Sequence, residues 1–218
     1  MADVTQNVLM YFVLPLWLAA GFADWLCHRA SNIATTSGAK ESLIHLLMFA
    51  QMGIPITAAI VLEINALVIA VMIVAFLLHE ATALWDVSYA TEKRVVTPIE
   101  QHVHSFLEIL PLMGLVLVVV LHWGQFLALF GLGTEAARFN ISLKQPPLPW
   151  GYVLSVLAGV LLFELLPYIE ELIRGLRANN GALVPREPRV PTEDAPARRQ
   201  VRTDRPKTDA AKASARHR

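Results

Sequence analysis

Residues 65–86 read NALVIAVMIVAFLLHEATALWD: thirteen unbroken apolar residues from 66 to 78, then a histidine and a glutamate, with an aspartate six residues further on. A helix rises about 1.5 Å per residue, and about 20 mostly apolar residues cross the roughly 30 Å of a bilayer's hydrocarbon core. The stretch is therefore a membrane span, and His79, Glu80 and Asp86 sit toward one end of it. That placement is costly, since a lone charged side chain deep in a span costs about 2.5–3.5 kcal/mol even on the lenient insertion scale. The residues at that end need partners.

Working outward, four further segments have the same character: roughly 7–27, 42–62, 102–128 and 150–173. Of the 218 residues 55% are hydrophobic, and the mean hydropathy is +0.49, which excludes an ordinary soluble domain. The expected fold is an all-α integral membrane bundle of about five transmembrane helices within residues 1–177. Only a few residues around Glu63 join the second and third spans, so these form a tight antiparallel hairpin. The connection from about 129 to 149, with LKQPPLP, reads as a Pro-rich surface loop. The N-terminus, MADVTQN, lacks a basic region and a cleavage pattern, so the first span is expected to stay in place. From 178 to 218 the chain is basic and rich in Pro, Ala and Arg, a composition that buries no core and reads as disordered.

Net charge is zero but unevenly placed. Residues 1–173 carry six Lys/Arg against thirteen Asp/Glu, and residues 174–218 carry twelve against five. Positive segments stay cytoplasmic, which puts the tail inside, the N-terminus outside, and the protein in a membrane such as the bacterial inner membrane. Membrane lipids are the expected partners, with the tail resting on anionic headgroups rather than on nucleic acid. Cys27 is the only cysteine, so no intrachain disulfide exists.

With that topology the polar residues fall at the cytoplasmic ends of spans one to four. Asp24 and His28, Glu41 and His45, and Glu100 and His104 are each four apart, on one face of a helix, with Glu108 four further on. His79 and Asp86 share a face of span three, beside Glu80. The inner halves of these spans offer almost no Lys or Arg, and carboxylates with neutral imidazoles and no basic counter-ion are balanced by a bound cation. Asp24, His28, Glu41, His45, His79, Glu80, His104 and Glu108 are the candidate metal ligands. Asp86, Glu100, His102 and Glu164 are candidates for an outer set that orients them. Thr97, Pro98 and Glu100 also spell a capping box, and His102 points about 200° away from Glu100 on the helical wheel. Glu170 and Glu171 read as an exposed helix end. Imidazole with carboxylate suits iron, with zinc or manganese next, and one or two ions fit such a donor set.

In architecture this cluster resembles the membrane-embedded di-iron hydroxylases and desaturases, although their HxxxH and HxxHH boxes are absent, as is the ExxH of ferritin-like bundles. The expected function is a non-haem iron oxidoreductase acting on a lipid or other apolar substrate from the bilayer. A zinc hydrolase, a metal or proton carrier, and a purely structural membrane protein are the alternatives.

Overall fold

A computed structural model describes residues 2–185. Five helices are long and apolar enough to cross a membrane: α1 (Val4–Ala30), α2 (Ala39–Val61), α3 (Ala66–Lys93), α4 (Pro98–Leu121) and α6 (Trp150–Ala178). A short α5 (Trp123–Leu129) follows a break at His122. The expected fourth span, 102–128, is thus two helices, and its first turn begins earlier, where Thr97 and Glu100 close the capping box.

Each long helix outlasts its apolar stretch at the same end of the bundle, α3 by seven residues beyond Asp86. The reason is burial: Asp24, His28, Glu41, His45, Asp86, Glu100 and Glu171 are all at most 4% exposed. These polar turns face one another inside the bundle, where the backbone must keep its own hydrogen bonds because water does not supply them.

Packing runs α1 on α4, α4 on α3, α3 on α2, α2 on α6 and α6 back on α1, so the spans close into a ring. Gly175 allows one of these contacts: a Cβ there would lie 3.0 Å from the backbone of Ala39, where α6 meets the start of α2. The α2–α3 hairpin forms as expected, through residues 62–65, and Asn65 caps α3 by accepting from the Val68 amide. Over it lies the Pro-rich connection. Its backbone pairs Glu63 with Ser142, Lys144 with Val61 and Leu67 with Arg138. Gln125 holds it from below, its Oε1 accepting from the amides of Ala66 and Arg138.

Two helices widen into single π-turns, Leu9–Val13 in α1 and Leu161–Leu165 in α6. Each precedes a proline, Pro15 or Pro167, whose missing N–H takes one bond out of the helical ladder. Residues 179–185, expected to begin the disordered tail, instead fold back. Gly181 donates to Leu176, Asn179 donates to Ala34, and the Lys40 amide donates to Leu183 at the start of α2. Helix capping and this docking extend the ordered segment past 178, and the tail from 186 to 218 lies outside the described residues.

Candidate metal centre

The i, i+4 pairs of the sequence each reach one place. His28 Nε2 lies 3.4 Å from Asp24 Oδ2 within α1 and 3.6 Å from Glu100 Oε1 of α4. His104 of α4 brings Nε2 to 2.9 Å from Asp24 Oδ1. His45 of α2 brings Nε2 to 3.2 Å from Asp86 Oδ2 of α3. Three sets of donor atoms come within 4.8 Å of one another: Asp24, His28 and His45; His28, Glu100 and His104; Glu41, His45 and Asp86. Asp86 and Glu100, expected to stand outside the ligands, are therefore inside these sets.

The fifth span supplies what the sequence reading missed. Glu164, Tyr168 and Glu171 stand on one face of α6 at i, i+4 and i+7. Far from being a solvated helix end, Glu171 is fully buried, and its two oxygens receive His28 Nδ1 at 3.0 Å and His45 Nδ1 at 3.2 Å. The two imidazoles stack, centroids 4.4 Å apart and planes 10° from parallel. Tyr168 donates to Asp24 Oδ2 and to the Gly21 carbonyl. A Cβ at Gly21 would collide with the Glu164 carboxylate, so glycine there is what lets that acid approach α1. The same i, i+4 logic applied to ELLPYIEE would have found this face. Ending the span at 173 hid it by treating the last turns as surface.

Arg94 is the second omission, and it corrects the premise that no basic group is near. Its side chain, 3% exposed, forks between Glu41 at 2.6 Å and Glu100, which it also meets at 2.9 Å through a second nitrogen. Burial works against the charge, but hydrogen bonds to Glu100 and Glu41 outweigh it and hold the guanidinium above even arginine's usual range. Glu41 and Glu100 both pair with the arginine.

The remaining candidates separate. His79 is buried about two turns deeper along α3 than Asp86, and its Nδ1 has no hydrogen-bond partner. Glu80 and Glu108 lie within electrostatic reach of each other. None of these three joins a donor set. His102 is exposed and packs edge-on against Phe106, which removes it from the site, as its helical-wheel angle requires.

Below the cluster opens a cavity of about 730 Å³ bounded by all five spans. Asp24, His45, Asp86 and His104 form its roof, with His79, Glu108 and Glu164 on the walls; otherwise it is lined almost wholly by apolar side chains such as Met48, Phe49, Met52 and Leu107.

Charge balance sets the chemistry. Asp24, Glu41, Asp86, Glu100 and Glu171 face one guanidinium, leaving four negative charges when the imidazoles are neutral. An uncompensated buried charge costs several kcal/mol, so cations belong here, as protons or as metal. Two atoms mark the place: His28 Nε2 and Asp86 Oδ1 are buried without a hydrogen-bond partner. Asp24 Oδ1 has His104 Nε2 at 2.9 Å. No protein-family model, curated protein or solved structure matches this chain, so its chemistry is argued from these side chains alone.

Proposed function

We propose that the protein is a metal-dependent membrane oxidoreductase, with one or two non-haem iron ions held among Asp24, His28, His45, Asp86, Glu100 and His104, acting on an apolar substrate in the adjoining cavity. One observation carries the metal reading. A neutral imidazole has a single N–H, yet His45 has a carboxylate oxygen 3.2 Å from each of its nitrogens, and His28 has one at 3.0 Å and another at 3.4 Å. Each ring therefore holds a cation on its Nε2 side, either a second proton or a metal. Two stacked imidazoliums 4.4 Å apart would set like charges face to face. With metal, His28 and His45 would be neutral, each donating Nδ1–H to Glu171 and leaving Nε2 free as a ligand. This is the usual arrangement in which a carboxylate fixes a ligating histidine.

Two divalent ions would balance the four negative charges. Iron is favoured over zinc by the substrate side: the cavity lining away from the cluster is mostly apolar and suits a hydrocarbon chain, whose C–H oxidation needs no polar group to bind it. When bound, iron supplies O2 and one-electron chemistry. Oxidation of a C–H bond to an alcohol by O2, releasing water, consumes two electrons and two protons, so a one-electron donor protein or quinol is the required co-reactant. Tyr168 and Glu164, beside Asp24 and on the cavity wall, are the groups placed to pass protons.

A structural reading has one observation in its favour. Beyond the Arg94 pairs, three carboxylates face three imidazoles, and three histidinium–carboxylate pairs would also leave little net charge. Metal analysis of the protein purified in detergent separates the two. The proposal expects at least one iron per chain, lost in His28→Ala and His45→Ala, and an optical change when O2 meets the reduced protein. Metal far below one per chain, unchanged in both variants, would sink it; zinc alone would turn it to hydrolysis.

A further inference from the structure

The opposite end of the bundle holds a second cavity, of about 970 Å³. Its interior is apolar, with Val13, Met72, Phe76 and Leu110 among its walls, while His122, Arg138 and Lys144 stand on it where α4 ends and the Pro-rich connection returns. Among the described residues neither Arg138 nor Lys144 forms an ion pair with a carboxylate. Lys144 donates to the Ala59 carbonyl at 2.6 Å, which anchors its ammonium without neutralising it. Burial lowers the Lys144 pKa below the ordinary lysine value. Burial first, then the charges of Lys144 and Arg138, lower that of His122. Glu63 is the acid on this wall, and it pairs with neither cation. Uncompensated positive charge at one end of an apolar cavity matches a molecule with an anionic head and an apolar body.

The extent of the apolar lining suits a long chain. Trp17, Met52, Ile56 and Ile60 line both this cavity and the one beneath the His/carboxylate cluster, so the two adjoin inside the ring of helices. From His122 to His104 along α4 is eighteen residues, a rise of about 27 Å. A long unbranched acyl chain is of comparable length.

We propose that the second cavity binds a long-chain fatty acid anion, its carboxylate on Arg138 and Lys144 and its chain running past Trp17 toward the cluster. The carboxylate stays at the end opposite the cluster, so oxidation falls far along the chain from the head. That last point rests on the metal-dependent reading; the binding does not.

The test is quenching of tryptophan fluorescence by palmitic acid brominated in mid-chain, on purified protein in detergent. Quenching saturates, and most of it disappears in Trp17→Phe, although Trp25, Trp85, Trp123 and Trp150 remain. Arg138→Gln, at an exposed position, and Lys144→Gln each weaken binding about tenfold, the scale of one charge-assisted hydrogen bond. The methyl ester of the same acid binds at least tenfold more weakly. Binding is the same in metal-stripped protein, so failure of the metal centre leaves this result standing. Equal binding of acid and ester, or Arg138→Gln and Lys144→Gln both matching wild type, overturns the proposal. So does equal competition by vesicles of diacyl phosphatidylglycerol, which would make the basic group a headgroup contact.

Discussion

At the scale of single residues the cluster depends on Glu171, which lines neither cavity yet meets a ring nitrogen of two histidines at once. Glu171→Gln keeps the shape but offers one acceptor oxygen instead of two, so one imidazole loses its orienting partner. The expected outcome is a 10- to 100-fold loss of metal affinity in chelator competition, the usual cost of losing such a partner. His102→Ala, far from the site, leaves affinity unchanged. If Glu171→Gln also binds metal like wild type, the tautomer argument fails. The sequence made part of this site readable and hid the rest for a physical reason. Asp24/His28, Glu41/His45 and Glu100/His104 announce themselves because i, i+4 spacing is a local property of a helix. Which of two adjacent glutamates, 170 or 171, turns inward depends on the packing of α6 against α1 and α2. Glu170 goes out to Arg29 and Arg174, and Glu171 goes in.

At the scale of elements, Arg94 ties the α3–α4 connection to the first turns of α2 and α4. It lies on a loop, where no periodicity aims a side chain, so spacing alone did not bring it to the cluster. Arg94→Met leaves Glu41 and Glu100 buried and unpaired, and a broken buried pair costs about 3–5 kcal/mol. A large drop in the unfolding midpoint in detergent is expected, partly recovered when Glu41→Gln and Glu100→Gln are added. Recovery is the informative half, because a mere packing defect would persist. The loop at the other end gives a pH effect of known sign. Burial, Lys144 and Arg138 lower the His122 pKa below its usual value near 6.5. The unfolded chain then binds the proton more readily than the folded one, so this residue's contribution to stability falls as pH drops below about 6.5. His122→Leu should flatten that part of the stability profile between pH 7 and 5; an unaltered slope would assign it to other groups.

At the scale of the molecule, apolar length alone gave five spans, but it could not give their order around the ring. Lipid and neighbouring helix are equally apolar solvents, so no face of α3 or α4 declares its partner by hydrophobicity. Polar turns at one end do declare it: five helices converge there because their acids and imidazoles have nowhere else to be satisfied. A metal bound there, as proposed, would be part of the fold's stability. An ion that binds only the folded protein stabilises it by RT ln(1 + [L]/Kd), about 4 kcal/mol at a thousandfold excess over Kd. Stripping the wild type with a chelator should therefore lower its unfolding midpoint by several degrees, and readdition of iron should restore it. His45→Ala, lacking a ligand, should already melt lower and respond little to either treatment. A network of histidinium–carboxylate pairs predicts the reverse pattern, with the wild type indifferent to chelator and His45→Ala still destabilised by two unpaired carboxylates. The difference between the two midpoints, with and without chelator, decides whether the five helices are closed by protons or by metal.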